Sequence, residues 1–488
     1  VGLEGDENTL GKENMLGMKE PPAFVHPYES KHWVEKLYIR AKRTLFLAAI
    51  FAPCALLYGF AELTESEAWR EFWIRILVST VEVSGCSVQK FAQWCSMRPD
   101  MFPKDIVDAL SKLRSEAPAH EFEHTCKEIK RSFGRELEDI FDEFEKNPVA
   151  SGTVAQVHRA RLKKEYAIDG KIRDVAVKVQ HPHVLEETFC DVDLLFQFIK
   201  IVSSKLTMPM DKNEFMMVLQ RQTNFEWEAY NLQRFAANFK SESLNKQNER
   251  TQNIKFPDVC LDFLSPSVLI ESWAPGRTIS KFFHDTTRNL QQTVQRVQSA
   301  ASVCLEENGR EMKKELARTI FHMNMKMFLR DNLIHSDMHA GNILFSEETG
   351  DVTVLDAGQT ASLDTEIAPK FARFLHAICQ RDADSISESL LEFDTGHGHG
   401  IETKTFRKDV QKALDEHAPE GEIVVVGDVM GDIFFTLSRH NMHLRSDVSV
   451  SLMSMAVSEG LIRSLDPDFD LIASALPYVA KYGLFNGA

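Results

Sequence analysis

The sequence lacks several features that would assign it to common classes of protein. It has eight cysteines but no C-x-x-C pair, so neither a zinc site nor a disulfide framework is indicated, and a reducing compartment fits best. It also lacks an excess of basic residues, since the formal net charge is -16 at pH 7. Because nucleic-acid binding needs clustered Lys and Arg, a broad nucleic-acid surface is excluded.

Long hydrophobic runs are also scarce. The uncharged apolar run from Leu45 to Ala61 has 17 residues, which is the lower edge of the length that a helix needs to span a bilayer. Pro53 would kink such a helix without forbidding it in lipid. Two interpretations stay open: a helix embedded in or lying on a membrane, and a buried helix.

The composition is that of a folded protein. The chain has 488 residues, of which 43% are hydrophobic and 26% charged, which is enough to bury a sizeable core and excludes disorder of the whole chain. Residues 1–30 predict a flexible leader. They carry six acids against two bases, the opposite of an Arg-rich transit peptide, so no targeting signal is visible.

Hydrophobic periodicity divides the rest of the chain into three parts. Residues 31–145 predict a helical front extension. Residues 146–275 predict a small mixed sheet with one long helix over 212–236, whereas residues 276–488 predict a mostly helical part. Strand-like runs occur at 157–162, 175–179, 267–272, 343–345 and 352–355, the last two forming a hairpin. The predicted fold class is therefore α+β.

The most specific chemical signal is a D-x-x-x-x-N motif followed by D-x-G. Asp337 and Asn342 form the first part, and Asp356 follows fourteen residues after Asn342, before Gly358. In phosphoryl transfer one Asp positions the acceptor and takes its proton, while an Asn five residues later and a second Asp hold magnesium. Two unrelated turns would rarely reproduce this spacing, so we expect Asp337 as base and Asn342 and Asp356 as metal ligands.

A lysine in an apolar strand adds a second signal. Lys178 lies in the run 175–179, where it suits pairing with the α and β phosphates of ATP. A buried Lys needs a carboxylate partner, and Glu228 is the best candidate because it shares the apolar helix face of Phe225 and Leu232. Taken singly, both residues would more often be solvated.

The segment before this strand occupies the place of a phosphate-covering glycine-rich loop. Only one of its residues is a glycine, so the G-x-G-x-x-G pattern that lets backbone amides approach phosphates is missing. We expect a stiffer, Ala-rich loop that contacts the nucleotide. Its residues are Ala150, Ser151, Gly152, Thr153, Val154, Ala155 and Gln156.

Together these motifs resemble the UbiB/aarF-domain-containing atypical kinases, over about residues 75–480. The matching features are Gln156-Val157-His158, Lys178, the E-A-x-N helix that begins at Glu228, residues 335–342, and Asp356-Ala357-Gly358. Within the family the chain most resembles a mitochondrial member of animals. The resemblance implies a protein-kinase-like two-lobed fold whose front helices block the usual peptide-substrate groove.

Two further family motifs, K-x-G-Q and E-x-D, close over the nucleotide pocket in relatives. The first stands here as Lys90-Phe91-Ala92-Gln93, so the resemblance implies that Lys90 and Gln93 reach the nucleotide cleft. The second is altered, because the positions six and four residues before Glu228 are the uncharged Gln222 and Asn224. The ionic latch between these motifs is therefore in doubt.

The favoured function is an atypical kinase or ATPase that uses ATP and Mg²⁺. We expect backbone groups near Glu271 and Trp273 to take the adenine. The resemblance implies mitochondrial residence, a role in coenzyme Q (ubiquinone) or lipid metabolism, a lipid or isoprenoid-quinone precursor as partner, and membrane association. The alternative is a pseudokinase that binds nucleotide and lipid without turnover. An ordinary protein kinase is disfavoured because no A-P-E motif follows Asp356.

Overall fold

The structure is a computed structural model that describes most of the chain. The described residues are 18–21, 27–64, 66–99, 102–111, 113, 117–202, 212–243, 254–281, 300–395, 402–417, 424–440 and 442–483. Most of the predicted leader lies outside them. The chain divides into two compact units, one made of residues 1–231 and 258–273, the other of residues 232–257 and 274–488.

The first unit begins with the helical extension that the sequence predicts. Its helices are α1 (Pro27–Ser30), α2 (Trp33–Thr64), α3 (Glu67–Val83), α4 (Cys86–Ser96), α5 (Lys104–Leu110), α6 (Phe122–Phe133) and α7 (Leu137–Ile140). A buried cluster joins α3, α4 and α5 to two later helices, α8 (Val184–Val202) and α9 (Lys212–Thr223). The extension is thus packed against the part of the chain that follows the first strands.

The sheet of the first unit is antiparallel in all its pairings. Its strands are β1 (Phe141–Phe144), β2 (Ala150–Ser151), β3 (Ala155–Leu162), β4 (Asp174–Gln180), β6 (Val259–Leu264) and β7 (Val268–Ser272), with β5 (Ile254–Lys255) in the second unit. The order is β1-β3-β4-β7-β6, and β2 pairs with β3. The sheet that we expected to be mixed therefore contains no parallel pair among the described strands.

One face of this sheet packs on α6 and α7. Ile129 and Ile140 of these helices are fully buried against Val175, Val177 and Ile270 of the two central strands. Strand β4 is buried along almost its whole length, because it has neighbours on both edges and packing on both faces. Its apolar sequence reflects that double burial.

The sheet starts at Phe141, earlier than the predicted start at residue 146.

The predicted long helix over 212–236 is two helices. Helix α9 ends at Thr223 and α10 (Phe225–Ser243) begins two residues later. The side-chain Oδ1 of Asn224 accepts a hydrogen bond of 2.9 Å from the backbone N–H of Glu226, which is the usual helix N-cap contact. The apolar spacing continues through the break, so periodicity alone did not show it.

The second unit is mostly helical, as predicted. Its helices are α11 (Ala300–Leu329), α12 (Ala368–Gln380), α13 (Ala383–Phe393), α14 (Thr403–His417), α15 (Val426–Arg439), α16 (Ser446–Leu465) and α17 (Leu471–Tyr478), followed by a π-helical turn, Val479–Gly483. Helix α10 extends into this unit from Leu232 onward. Fully buried side chains such as Phe374, Val429 and Leu452 form its interior.

Two small sheets lie in the second unit. The predicted hairpin is present as β10 (Ile343–Phe345) and β11 (Val352–Val354), which also pairs in parallel with β5. Strand β8 (Arg277–Thr278) pairs with β10. The other sheet pairs β9 (Ile334–His335) with β12 (Thr360–Ala361). These short strands bracket the D-x-x-x-x-N and D-x-G motifs.

Candidate functional site

The lysine that the sequence singles out is buried and paired with two carboxylates. Lys178 lies on β4 and is only 9% exposed. Its Nζ atom is 2.5 Å from Oε1 of Glu228 on α10 and 3.2 Å from Oε1 of Glu271 on β7. The predicted Lys178–Glu228 pair is therefore present in the first unit.

Glu271 is a functional candidate because of its side chain, which the sequence pattern did not single out. We expected its backbone to meet adenine, whereas its side chain is buried and pairs with Lys178. The signal was visible in the sequence, because an acid interrupts the apolar run of β7 just as Lys178 interrupts that of β4. Glu271 therefore brings a second carboxylate to the ammonium of Lys178.

Trp273, the other residue that we expected near adenine, is also hydrogen-bonded within the fold. The backbone N–H of Trp273 donates to the carbonyl oxygen of Asp174 at 2.9 Å, which extends the β4–β7 pairing by one residue. The guanidinium of Arg159 lies over the Trp273 ring at 4.9 Å from its centre. The Trp273 amide is thus used by the sheet, and only carbonyl groups of this segment remain as candidates for an adenine amino group.

The Ala-rich loop is a tight turn between β2 and β3. The N–H of Gly152 donates to the carbonyl of Ala155 at 2.8 Å, and the N–H of His181 donates to the carbonyl of Val154 at 3.0 Å. Gln156, which we expected to contact the nucleotide, is fully buried instead. Its side-chain amide accepts the backbone N–H of His120 and donates to the imidazole of His158, so it supports the loop and does not line it.

The front motif lies on helix α4. Lys90 and Gln93 are both partly buried. Among the residues that the structure describes, the Oε1 atom of Gln93 is buried without a hydrogen-bond partner. A buried amide oxygen in that state favours a donor from outside the described chain.

In the second unit, the motif residues 335–342 form one hydrogen-bonded loop. The side-chain Nδ2 of Asn342 donates to the carbonyl of Asp337 at 2.9 Å, and its backbone carbonyl accepts from the N–H of Leu355 at 2.8 Å. The residues Asp337, Asn342 and Leu355 are thereby joined directly. The N–H of Ser336 also donates to the carbonyl of Gln359, which ties the loop to the chain after Asp356.

His335 fixes the geometry of the loop 335–342 through hydrogen bonds from both of its ring nitrogens. Its Nε2 is 3.3 Å from the carbonyl oxygen of Leu355, which can only accept, so Nε2 carries the proton. Its Nδ1 then accepts the N–H of Asp337 at 3.3 Å. Burial lowers the pKa of His335, which keeps the imidazole neutral. One histidine thus connects the two motifs.

Asp356 has an unusual backbone conformation. Its φ angle is 53°, in the left-handed region that few residues other than glycine adopt. Its side-chain Oδ1 accepts the N–H of Gly358 at 3.2 Å, and the residue is exposed. The turn that follows β11 therefore fixes the backbone of Asp356 and exposes its carboxylate to solvent.

These side chains suit a hard divalent cation. Asp337 and Asp356 offer carboxylate oxygens, and Asn342 offers an amide oxygen because its Nδ2 is used by Asp337. Oxygen ligands of this kind are what Mg²⁺ prefers. The donor set therefore fits the predicted metal, and histidine enters only as a support.

Comparisons with known proteins decide the family. The sequence profile of the family described as the ABC1 atypical kinase-like domain matches residues 112–390, which is more than half of the chain. The chain belongs to the ABC1 atypical kinase-like family. The matched segment contains Lys178, Glu228, Asp337, Asn342 and Asp356, so the UbiB/aarF resemblance is confirmed.

Curated relatives agree with the ABC1 assignment. A probable serine/threonine-protein kinase of Dictyostelium discoideum is 26% identical, over 89% of this chain and 67% of its own. A mitochondrial ABC1 family protein of Saccharomyces cerevisiae is 22% identical, over 90% and 74%. A probable protein kinase UbiB of Vibrio cholerae is 26% identical, over 80% and 67%.

A solved structure supports the fold alone. A Mycobacterium tuberculosis protein in complex with erythromycin covers 87% of this chain and 99% of its own chain, with a TM-score of 0.50 and 17% identity. The α+β, protein-kinase-like fold class with a helical front extension is therefore confirmed. Lys90 and Gln93 lie before the segment that the ABC1 profile matches.

Proposed function

We propose that this ABC1 protein binds Mg-ATP and acts as an atypical phosphotransferase or ATPase. The observation that carries the proposal is the buried ion pair of Lys178 with Glu228, made between a strand and a helix 50 residues apart. Burying such a pair costs desolvation free energy. The pair is therefore retained where a charge at that position is used. The hydrogen-bonded loop of Asp337 and Asn342 supplies the remaining groups.

Each group has a role in phosphoryl transfer. Lys178 would contact the α and β phosphates, and Glu228 would hold its ammonium in place. Asp337 would orient the acceptor hydroxyl or water and take its proton, while Asn342 and Asp356 would hold Mg²⁺. The metal supplies charge neutralisation at the phosphates. Glu271 would be a second anchor for the ammonium of Lys178.

The compartment and pathway are inferred from relatives. The relatives from Saccharomyces cerevisiae and Schizosaccharomyces pombe are named as mitochondrial. We therefore place this chain in the mitochondrion and assign it to coenzyme Q (ubiquinone) or lipid metabolism, as the family resemblance implies. A lipid or isoprenoid-quinone precursor is the proposed partner besides ATP.

Membrane association is proposed through helix α2. Its segment Trp33–Tyr58 is long and apolar enough to cross a membrane, yet only 11% of its most apolar window is buried. Arg43 is held by Asp191, and the carbonyl of Cys54 accepts the indole N–H of Trp73 at 2.9 Å. Because one side of α2 is fastened to the fold in this way, we infer that the helix lies on the bilayer surface.

Lys90 and Gln93 are proposed to restrain the nucleotide site. The partnerless Oε1 atom of Gln93 is the observation that supports a ligand or a further segment near α4. Since Asn224 is used as a helix cap and carries no charge, Lys90 would depend on phosphate or on the metal-site carboxylates. Lys90→Ala should change nucleotide affinity, and Lys104→Ala, an exposed lysine of the same extension, should not.

The test of the main proposal is thermal stabilisation of the purified protein by Mg-ATP. Asp356→Asn should abolish the magnesium-dependent shift with an unchanged melting temperature without ligand. Lys178→Ala should weaken it, and Glu228→Gln should weaken it less, because Glu271 remains. An Asp356→Asn protein that responds like wild type would reject the assignment.

Turnover separates the enzyme from the pseudokinase. Magnesium-dependent ADP formation by wild type that Asp337→Asn removes would establish the phosphotransferase or ATPase. A thermal shift with Mg-ATP but no ADP formation would establish nucleotide binding alone.

A further inference from the structure

A chain of buried and partly buried polar side chains lies between the start of α6 and the sheet of the first unit. It joins three histidines to a threonine and a glutamine, and it ends on the carbonyl group of Gly152 in the Ala-rich loop. Its members are His120, Thr125, Gln156, His158 and His181. Gln156 and His158 are fully buried.

The acceptor at the loop end determines the tautomer of the first histidine. The Nε2 atom of His181 is 2.8 Å from the carbonyl oxygen of Gly152, so Nε2 must carry the proton. Its Nδ1 is then an acceptor, and it lies 2.8 Å from Nδ1 of His120. His120 must therefore donate from Nδ1, and its Nε2 accepts the hydroxyl of Thr125 at 3.0 Å.

The other end of the chain is consistent with the same arrangement. The Nδ1 of His158 donates to the carbonyl of Glu145 at 2.9 Å, which leaves its Nε2 as an acceptor for the Nε2 of Gln156, also at 2.9 Å. The Oε1 of Gln156 accepts the backbone N–H of His120 at 2.9 Å. The hydroxyl oxygen of Thr125 can still accept from Gln156, at 3.3 Å.

This arrangement needs every imidazole to be neutral. Burial lowers the pKa of His158 and His181, and it lowers that of His120 to about 3 with help from the neighbouring histidines. Each ring then has one donor and one acceptor nitrogen, and all are used. The chain has one consistent set of proton positions.

His181 holds the loop at two points. Its side chain donates to the carbonyl of Gly152, and its backbone N–H donates to the carbonyl of Val154 at 3.0 Å. Fixing the two carbonyls also fixes the planes of the peptide groups that follow them. The N–H groups of Thr153 and Ala155 belong to those planes.

We propose that His181 and His120 are positioning residues that hold the backbone of the Ala-rich loop in its nucleotide-binding geometry. The role toward nucleotide rests on the proposed function. A glycine-rich loop adapts its amides to phosphates through glycine flexibility. The loop here has only one glycine. The histidine chain instead holds its peptide planes in position before nucleotide binds.

Hydrogen exchange of the loop amides tests the proposal without any ligand. His181→Asn removes the donor to Gly152, because the asparagine side chain is too short to reach it. We expect exchange of residues 150–156 to become about tenfold faster, the effect of losing one hydrogen bond, while the amides of β4 and β7 stay protected. The control is His183→Asn, since His183 is exposed and its φ of 63° suits asparagine.

Three further variants test the tautomers. His120→Asn keeps an N–H group near the position of Nδ1 and should retain the loop protection that His120→Phe loses. His181→Gln keeps a donor near Nε2 and should restore most of the protection that His181→Asn loses. A loop that exchanges equally fast in all four variants and wild type would overturn the proposal. So would exchange that rises equally in β4 and β7, because that would make His181 a folding residue.

Binding of Mg-ATP to the same proteins is the second measurement. We expect His181→Asn to bind about tenfold more weakly than wild type, and His183→Asn to bind equally well. If wild type binds no Mg-ATP, the proposed function fails. Faster loop exchange in His181→Asn would then still support the positioning of the loop by His181.

Discussion

Histidines of the first unit make stability depend on pH in a defined direction. The pKa of His120, His158 and His181 is lowered from the ordinary value of 6.5, for His120 to about 3. The unfolded chain therefore binds protons below pH 6.5 that the folded chain does not bind. The stabilisation from neutral burial is complete above that pH and is lost progressively as the pH falls from 6.5 toward 3.

We expect the free energy of unfolding to fall between pH 7 and pH 5. Each proton taken up by the unfolded chain alone lowers it by about 1.4 kcal/mol per pH unit. Urea unfolding at pH 7, 6 and 5 measures the slope. Carboxylates with a lowered pKa, such as Asp105 and Asp351, contribute little in this range, because they titrate below their ordinary value of 3.8.

The control for this prediction is His120→Asn. It removes the residue with the most strongly lowered pKa, so its stability should fall less steeply between pH 7 and pH 5 than that of wild type. Identical slopes would show that His120 does not contribute to the acid sensitivity.

Helix α2 is joined to α8 by a buried ion pair. The guanidinium of Arg43 makes two parallel contacts to the carboxylate of Asp191, of 2.8 and 2.6 Å, and also donates to the carbonyl of Ser84 at 2.7 Å. Burial nevertheless raises the pKa of Asp191, because desolvation outweighs the guanidinium. The pair therefore specifies where α2 docks and adds little net stability.

Removing one partner should be far more damaging than removing both. We expect Arg43→Met to lower the free energy of unfolding by about 3–5 kcal/mol, because Asp191 is left buried and unpaired. Arg43→Met combined with Asp191→Leu should regain most of that loss. Urea unfolding of the single and double variants measures it.

The matched control is the neighbouring pair of Arg40 with Asp193 at 2.8 Å. Its side chains are 37% and 24% exposed, so Arg40→Met should cost less than about 1 kcal/mol. A similar loss of unfolding free energy in Arg43→Met and Arg40→Met would contradict the view that burial determines the size of the loss.

At the scale of the whole molecule, the described residues expose a large apolar surface along α2. Trp33, Leu45 and Leu56 are 67%, 72% and 74% exposed, and Trp69 of α3 is 44% exposed. A second apolar helix, Ser446–Leu465, has 61% of its window buried and is a core helix of the second unit. Among the described residues, the α2 surface is thus the better candidate for contact with a bilayer.

Charges on this surface should prevent membrane binding without unfolding the protein. We expect Leu45→Lys with Leu56→Lys to weaken co-sedimentation with vesicles of phosphatidylcholine and an anionic phospholipid about tenfold or more, since two leucines no longer enter the bilayer. The melting temperature should not change. Leu261→Lys on β6, at a leucine that is 46% exposed, is the control and should bind like wild type. Unaltered binding of the double variant would exclude the α2 surface.

Some helix boundaries could not be predicted from the sequence. The apolar spacing over 212–236 continues through Asn224, so the break between α9 and α10 depended on a cap contact that spacing does not reveal. Residues 300–310 show no helical apolar spacing, yet α11 begins at Ala300 and continues into the buried Met323. Tertiary packing of the later turns accounts for a helix whose first turns have no apolar periodicity.

The sequence by itself determined the candidate site residues and the order of the parts. An isolated Lys in an apolar strand and the spacing of Asp337, Asn342 and Asp356 are local patterns, and local patterns are preserved in a linear chain. Only the tertiary structure decided that Glu271 shares Lys178 with Glu228 and that Gln156 turns inward to His120 and His158. These contacts join strands and helices that are far apart in sequence. Which partner a buried polar group finds depends on how the sheet and helices pack, because burial requires each such group to be satisfied by whatever lies nearest.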